Sequence, residues 1–505
     1  MTFYLIVLMM FLPFGMNTSG QEAKIDHSLA LNATSSSLSF STFLGGSASD
    51  DGYAIAVGSD GSCYVTGSTY SSNFPTLNAY NDTYDDYGDV FVTKFSSSGS
   101  LLWSTFLGGK WDDQGTDIAV SSDGSCYVTG LTMSDNFPTL NAYQDTYGDY
   151  TDAFVVKFSS SGSLLWSTYF GGSGTEDGYS IALSSDGSCY VTGNTASGDF
   201  PTLNAYNNTN DGVDAYVAKF STSGSLLWST YLGGKDDDLG YGIDVTSDGS
   251  CYTIGFTKST NFPTLNAYND TYGGSSDVFI TKFSSSGSLV WSTYLGGKNN
   301  DFGYDIAVDD SNSCYVTGET ESSNFPILNA YDSTIDLLDV FVAKFSSSGS
   351  LLWSTFLGDG NLDTGYKIAI GSESSCYIAG YTRSIYFPTL NAFDSTFNGG
   401  EYDAFISKFS STGSLLWSTF LGGNESDYGY GIAVSSDNYY VTGSTLSSNF
   451  PTLNAYNSTK GSNDAFVSKF SESSTTSSSG ISAFSFLEFL VILPILMVVL
   501  RKRRN

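Results

Sequence analysis

The chain says nearly the same thing seven times. A Ser-Thr-aromatic landmark begins at Ser41, Ser104, Ser167, Ser229, Ser292, Ser354 and Ser418, at a spacing of 62 to 64 residues. Self-similarity at a fixed period governs architecture before any other feature, because each copy must be one supersecondary unit that buries its apolar face on the next. The second copy shows what that unit is. Ile118-Ala119-Val120 reads as a strand, and Ser121-Ser122-Asp123-Gly124 as a hairpin turn with Asp-Gly chemistry. Cys126 and Val128 then alternate with Tyr127 and Thr129, a period of two. A long loop passes through Phe137-Pro138 and Asn141-Ala142-Tyr143 to a third apolar run at residues 153–158, a tight turn at residues 159–162, and a fourth strand carrying Trp166. Four antiparallel strands, seven times over, predict a β-propeller.

The two ends of the repeat predict how the ring closes. The array opens with a lone fourth strand at residues 38–44, where Phe40 stands in the tryptophan column, and ends after a third strand at residues 465–470. The N-terminal strand is therefore expected to complete the last blade, which removes exposed sheet edges. At this point the combination of SDGSCYVTG, SxNFPT, DAFVxKF and GSLLWSTFLGG resembles the SBBP type of β-propeller repeat, over residues 38–470. The resemblance implies a propeller in an extracellular setting of bacterial or archaeal type. It implies no defined reaction and carries over no catalytic residue.

Both termini are apolar. Residues 5–14 read as the core of a signal peptide spanning residues 1–20, followed by a linker at residues 21–37. Residues 471–480 are a Ser/Thr-rich linker, residues 481–500 have the length and apolarity of one transmembrane helix, and the basic tail at residues 501–505 is expected to stay cytoplasmic. The full expectation is an all-β seven-bladed propeller of four-stranded antiparallel blades plus one C-terminal transmembrane helix. Its location would be the cell surface, as a single-pass membrane protein with the propeller outside. The net charge of −32 repels a phosphate backbone and argues against nucleic acid as a partner.

Strand parity separates the two faces of such a disc. Connections of the SSDG and SSSG types fall together on one face, while the loops near residues 130–152 and the GGKWDDQG-type joints fall on the other. Elaborated loops on a rigid scaffold are where binding resides, so the second face is the expected contact surface. Its joints carry an acid two residues before a glycine: Asp50, Asp113, Glu176, Asp238, Asp301, Asp363 and Asp427. These are candidate Ca²⁺ ligands, since hard cations take carboxylate oxygens. The alternative is a carboxylate that accepts turn N–H groups, which the longer arm of Glu176 fits less well. A second recurring pair, such as Asp89 with Lys94 or Asp152 with Lys157, lies on opposite strand faces. Its lysine is expected to reach the rim or a neighbouring blade's carboxylate. Cys63, Cys126, Cys189, Cys251, Cys314 and Cys376 occupy one column in different blades and are expected as buried free thiols. Asn32, Asn81, Asn207, Asn269, Asn424 and Asn457 lie in glycosylation sequons.

The chemistry for catalysis is sparse. His27 is the single histidine and precedes the ring, so neither a Ser-His nor a Cys-His system can be built within it. No phosphate-binding or dinucleotide motif is present, and no cofactor is implied beyond the candidate Ca²⁺. Departures from the repeat are Trp111, Asp359-Gly360, Arg383 with Tyr386, and Leu337-Leu338. The expected function is a non-catalytic, surface-anchored binding, adhesion or envelope module whose ligand is a glycan or a protein. The alternative is an extracellular polysaccharide hydrolase or lyase that uses a carboxylate pair.

Overall fold

The computed structural model describes residues 34–436 and 438–474. These form 28 β-strands in seven four-stranded antiparallel sheets. The first sheet consists of β2 (Asp50–Val57), β3 (Cys63–Thr69), β4 (Asp89–Phe95) and β5 (Leu101–Leu107). The first strand of each sheet touches its counterpart in the next, in the order β2, β6 (Asp113–Val120), β10 (Glu176–Leu183), β14 (Asp238–Val245), β18 (Asp301–Val308), β22 (Asp363–Ile370) and β26 (Asp427–Ser435). The strand β26 returns to β2. These seven strands line an axial channel, and the fold is the expected propeller.

Closure follows the truncated ends of the repeat. The strand β1 (Thr34–Leu44) pairs antiparallel with β28 (Asp464–Ser474) and becomes the outermost strand of the seventh blade. The pairing is longer than the repeat alone foretells, running from Leu44 opposite Ala465 out to Thr34 opposite Ser474.

The core lies between blades, not within them. Trp166, Phe170, Val155 and Tyr127 of the second blade pack with Ile181, Cys189, Val191 and Phe220 of the third. Phe154, Val156 and Phe158 of the same second blade turn the other way, to Trp103, Val90 and Tyr64 of the first. Alternation along a strand therefore sends successive residues to two different cores, which is why these strands are apolar on both faces. Hydrogen bonds cross the same seams. Tyr64 Oη donates to the Gly124 carbonyl at 2.9 Å, and Trp103 Nε1 donates to the Ser160 carbonyl at 3.1 Å. All six cysteines are free and buried in these seams, and burial pushes the Cys126 thiol up to about 12. The register places Tyr439 in the seventh blade where the others have cysteine.

The closing blade departs from this pattern. Its third and fourth strands come from opposite ends of the chain, so no tight turn joins them. Trp417 Nε1 consequently finds no acceptor among the described residues. Glu472 on β28 instead accepts from Lys408 Nζ at 2.7 Å and from Tyr377 Oη at 2.6 Å.

One expectation is corrected. Among the described residues no helix is long and apolar enough to cross a membrane. The helical segment among them is the three-residue 3₁₀ turn Ser372–Ser374, because the other described residues are committed to strands, turns and loops. The described fold is thus all-β without a transmembrane helix, and the single-pass cell-surface location that depended on the helix is withdrawn with it. The segments read as signal peptide, linkers, spanning helix and basic tail, apart from residues 34–37 and 471–474, lie outside the described residues.

The seams generate a direct test. Trp166 Nε1 donates to the Thr222 carbonyl at 3.0 Å, whereas Trp417 Nε1 donates to no described group. Trp166→Phe should therefore be more destabilising than Trp417→Phe by about 0.5–1.5 kcal/mol, the worth of one hydrogen bond. Paired urea-unfolding curves measure this difference.

Candidate functional site

The register confirms which face is elaborated. Asp50 pairs with Thr69 and Thr69 with Asp89, so both long connections leave from that end of the blade. Val57 pairs with Cys63 and Phe95 with Leu101 at the other end, where the tight turns lie. The long loop folds back on its own blade. Leu77 and Ser104 exchange backbone hydrogen bonds at 3.0 and 2.9 Å, and Phe74 stacks on Phe91 at 4.7 Å between ring centroids.

The acids of the joints sit beneath these loops as acceptors. Asp301 Oδ2 accepts from the Gly297 amide at 2.7 Å and from Ser322 Oγ at 2.9 Å, and its Oδ1 accepts from Thr320 Oγ1. Asp50, Asp113, Asp238 and Asp427 likewise accept from the backbone amide four residues earlier and from a serine at the start of the long loop. Asp363 does the same with the Asp359 amide and Ser384. Glu176 keeps the pattern despite its extra methylene, accepting from the Gly172 amide and Thr195 Oγ1, both at 2.6 Å. Among the described residues no group of three or more His, Cys, Asp or Glu side chains gathers where a metal ion could be held.

A second carboxylate stands beside each of these acids. Asp277, which opens the third strand of the fourth blade, faces Asp301, which opens the fifth blade. A Cβ on Gly296 would lie 2.7 Å from Asp277 Oδ1 and 2.8 Å from Asp301 Oδ2, so only glycine lets the two carboxyls approach from either side. Asp277 Oδ1 has no hydrogen-bond partner among the described residues. Burial pushes Asp277 and Asp301 each up to about 6, and mutual repulsion adds to the shift of Asp277. In the first seam burial takes Asp89 to about 8 and Asp113 to about 7. Asp464 beside Asp50 completes the ring at the closing seam.

The expected partner of the recurring lysine is replaced. Tyr64 lies opposite Lys94 in register, and Lys94 Nζ sits over that ring at 4.7 Å from its centroid. The equivalent lysines do the same, at 4.4 to 5.2 Å. Lys408 additionally reaches Glu472 of the next blade, and Lys344 reaches Asp309 of its own at 3.1 Å. The sequon residues Asn81, Asn207, Asn269 and Asn457 are half-buried at the root of the long-loop tips, Asn424 is exposed, and Asn32 lies outside the described residues.

Sevenfold symmetry fails at the axis. In every innermost strand the register shifts after the third residue, as between Gly52 and Ala54 or between Gly365 and Lys367. A bulge leaves one residue unpaired and re-aims its side chain. The bulged residues are Tyr53, Thr116, Tyr179, Tyr241, Tyr304, Tyr366 and Tyr430. Their rings form a chain around the channel, 5.0 Å from Tyr179 to Tyr241 and 5.8 Å from Tyr430 to Tyr53 at the extremes. Thr116 breaks the circle. Its hydroxyl is held within hydrogen-bond reach of the Gly178 and Thr129 carbonyls, at 2.6 and 3.1 Å. The resulting cup encloses about 370 Å³ and opens, at the gap, toward Gln114 and Leu131.

The residues after the bulge vary around the ring: Ala54, Asp117, Ser180, Gly242, Asp305, Lys367 and Gly431. Lys367 Nζ lies 3.6 Å from Asp305 of the adjacent blade and 3.6 Å from Asp117, across the axis in the second blade. The lysine thus bars the channel and floors the tyrosine cup. Burial opposes its charge, but the carboxylates of Asp117 and Asp305 outweigh burial and hold the ammonium above the usual lysine range. Asp117 also accepts from Ser180 Oγ at 2.7 Å and the Ile181 amide at 3.0 Å, and Asp305 from the Ile368 amide at 2.9 Å. Beyond the bar, Asp244 accepts from the Val245 and Val308 amides at 2.7 and 2.8 Å, and burial pushes its carboxyl up to about 7.

Comparison with known proteins identifies the repeat. The SBBP β-propeller repeat matches residues 102–138, 165–201, 290–326 and 416–451. The chain carries SBBP repeats. Each match begins in the outermost strand of one blade and ends in the long loop of the next, so the SBBP unit straddles a seam. The uncharacterized WD repeat-containing protein L264 of Acanthamoeba polyphaga mimivirus is 22% identical over 484 residues, covering 78% of this chain and 34% of that protein. The regulatory protein FlaEY of Caulobacter vibrioides is 24% identical over 400 residues, covering 72% of this chain and 41% of that protein. The chain spans well under half the length of these curated relatives. The WD40 β-propeller domain of Doa1 aligns with a TM-score of 0.45 and 13% identity, over 87% of this chain and 97% of that one.

The axial residues of the SBBP ring were absent from the departures noted in the sequence. Their signal was available in the variable position of GYxIAV, which passes through Asp117, Asp305 and Lys367, and in the loss of its tyrosine at Thr116. Among the departures that were noted, Trp111 packs on Tyr87 at 4.9 Å with both rings partly exposed, and Arg383 meets Glu401 at 3.5 Å on the surface.

Two tests follow from the charges. An aspartate raised from 3.8 to about 6 or about 8 binds its proton more tightly folded than unfolded. Its contribution is complete below the unfolded value and is lost as pH rises through the folded one. The melting temperature should therefore fall as pH rises from about 4 to about 8, and Asp89→Asn should flatten the upper part of that decline; calorimetry across the range checks both. Lys367→Met would leave Asp117 and Asp305 buried without their cation, at a cost of about 3–5 kcal/mol near neutral pH. The cost should shrink toward pH 5 and on adding Asp305→Asn, as read by denaturant unfolding.

Proposed function

We propose that this SBBP-repeat protein is a non-catalytic interaction module that engages a protein partner through its long-loop face. The observation that carries the reading is the inequality of the two ends of the disc. One end is built from short, near-identical five-residue turns such as residues 58–62 and 96–100. The other presents long loops with exposed rings, among them Tyr87, Trp111, Tyr150 and Tyr386. Aromatic side chains of this kind supply large rigid contact area at small entropic cost. At Tyr386 the sequence gives up a structural role to do so. Asn136 accepts from the Lys110 amide at 2.9 Å, and Asn73, Asp199, Asn261, Asn324 and Asn449 clasp the joint of their own blades in the same way. Tyr386 holds that position in the sixth blade and stands 77% exposed.

Two further points support the reading. In each seam both carboxyls are buried beneath the loops rather than open to a substrate, and the joint acid accepts from a backbone amide and a hydroxyl group, which suits a structural role better than a hydrolase. The printed names of the two relatives, a WD repeat-containing protein and a regulatory protein, suit a scaffold.

Site-specific photo-crosslinking in the native host tests the proposal. A photoreactive residue at Trp111 or Tyr386 should trap discrete protein species, and one at Ser98 or Ser223 in the tight turns should not. Equal crosslinking from both faces, or from neither, would defeat it.

A further inference from the structure

We propose that the tyrosine cup at the long-loop end of the channel is a binding site for a neutral sugar, one or two rings in size. The sugar would lay its C–H face on tyrosine and direct hydroxyls at Lys367 on the floor and at Gln114 and Thr116 beside the gap. This site is separate from the loop surface assigned above and does not depend on it.

The cup has the dimensions and the construction of a small-ligand site. Its volume of about 370 Å³ falls in the range of natural ligand clefts, and it is walled by aromatic rings with a few convergent polar groups at the base. The walls are fixed before any ligand arrives. Tyr304 Oη donates to Glu319 Oε1 at 2.9 Å, Tyr179 Oη lies 3.2 Å from Asp177 Oδ2, and neighbouring rings brace one another around the circle. Preorganised walls reduce the ordering cost of binding.

The floor selects the ligand class. Lys367 Nζ is 3.6 Å from each carboxylate, close enough for charge attraction but longer than a hydrogen bond. An ammonium carries three donors, so some remain for an oxygen placed above it. Asp117 and Asp305 line the channel beyond the bar rather than the cup, and balance the lysine's charge from there. A charge-balanced donor at the base and the Gln114 amide at the gap match hydroxyl groups, each of which donates once and accepts. Other classes fit less well. An anion meets one ammonium against two carboxylates, with Asp177 and Glu319 behind the rings. A bare organic cation, which aromatic walls alone would favour, must approach the Lys367 ammonium. A hydrocarbon would strip water from the floor without replacing its hydrogen bonds.

The gap at Thr116 supplies orientation. Seven equal walls would accept a ligand in seven rotations. The missing ring extends the cup toward the Gln114 amide and the Leu131 side chain in one blade, so a substituent on the sugar has one place to go.

The test uses the purified full chain and a panel of free hexoses, N-acetylhexosamines and their disaccharides, read by saturation-transfer NMR and calorimetric titration. Saturable binding of at least one neutral sugar is expected, with ring protons receiving the transfer. Thr116→Tyr, which closes the gap without touching the ion pairs, should weaken it by about tenfold or more while leaving the melting temperature within a few degrees. Lys367→Met should weaken it comparably, and Trp111→Ala should leave it unchanged. Absence of saturable binding across the panel at millimolar sugar overturns the proposal. So does binding that survives Thr116→Tyr, or preferential binding of tetramethylammonium or glucuronate, included as cationic and anionic competitors.

Discussion

Each blade of this protein borrows half of its core from the next, and everything else in the molecule is arranged around that debt. A single four-stranded sheet with both faces apolar has no solution in water. Trp166 and Phe170 are satisfied only because Ile181 and Phe220 arrive from the following blade, and Phe158 only because Trp103 stands on the preceding one. The seam therefore fixes the composition of the strands, with aromatic and β-branched residues on both faces. It also fixes the position of the polar bridges from Tyr64 and Trp103 to the turns of the neighbour. Stability in such an array is shared between neighbours and becomes cooperative once the ring is shut.

The same seams carry an electrostatic load. Each holds two carboxyls around one glycine, and the chain as a whole carries a net charge of −32. Burial raises these acids, to about 8 at Asp89 and about 6 at Asp277 and Asp301, so protons are retained near neutrality in the first seam and in mildly acidic surroundings in the fourth, which relieves the repulsion that two ionised groups would impose. Acidity of the surroundings thus acts on the inter-blade contacts directly, at the level of the fold, and not through any one loop.

Much of this was legible in the chain. The period, the tryptophan column at Trp103 and Trp166, and the orphan strand around Phe40 dictate a ring and its closure, because they report packing that recurs in every copy. The acceptor role of Asp50 was legible from its place before a turn. Its companion Asp464 was not, since the two meet only after the ends of the chain are brought together. The axial cluster was hidden for a related reason. Asp117, Asp305 and Lys367 occupy a position that looks merely tolerant in a repeat alignment, and only ring geometry reveals that the second, fifth and sixth blades converge there. The bulge before it also defeats a period-two reading, because it sends Tyr53 and Ala54 to the channel side by side. The cup is therefore a property of closure, written in the residues where the copies disagree.

Closure also decides how the molecule answers to force. The strands β1 and β28 are antiparallel, and Thr34 lies opposite Ser474, so the chain enters and leaves the ring at neighbouring rungs of one ladder. Tension applied between these two points loads the hydrogen bonds one after another, from Thr34 toward Leu44, as in opening a zipper. Strands sheared lengthwise would share the load across all rungs at once. A pull on the two ends thus meets its least resistance at the seventh blade, which offers Trp417 of the sixth no acceptor among the described residues and where Glu472 stands in for a missing turn. The other six blades, whose strands are joined by continuous chain, would be released only after that strand had peeled away.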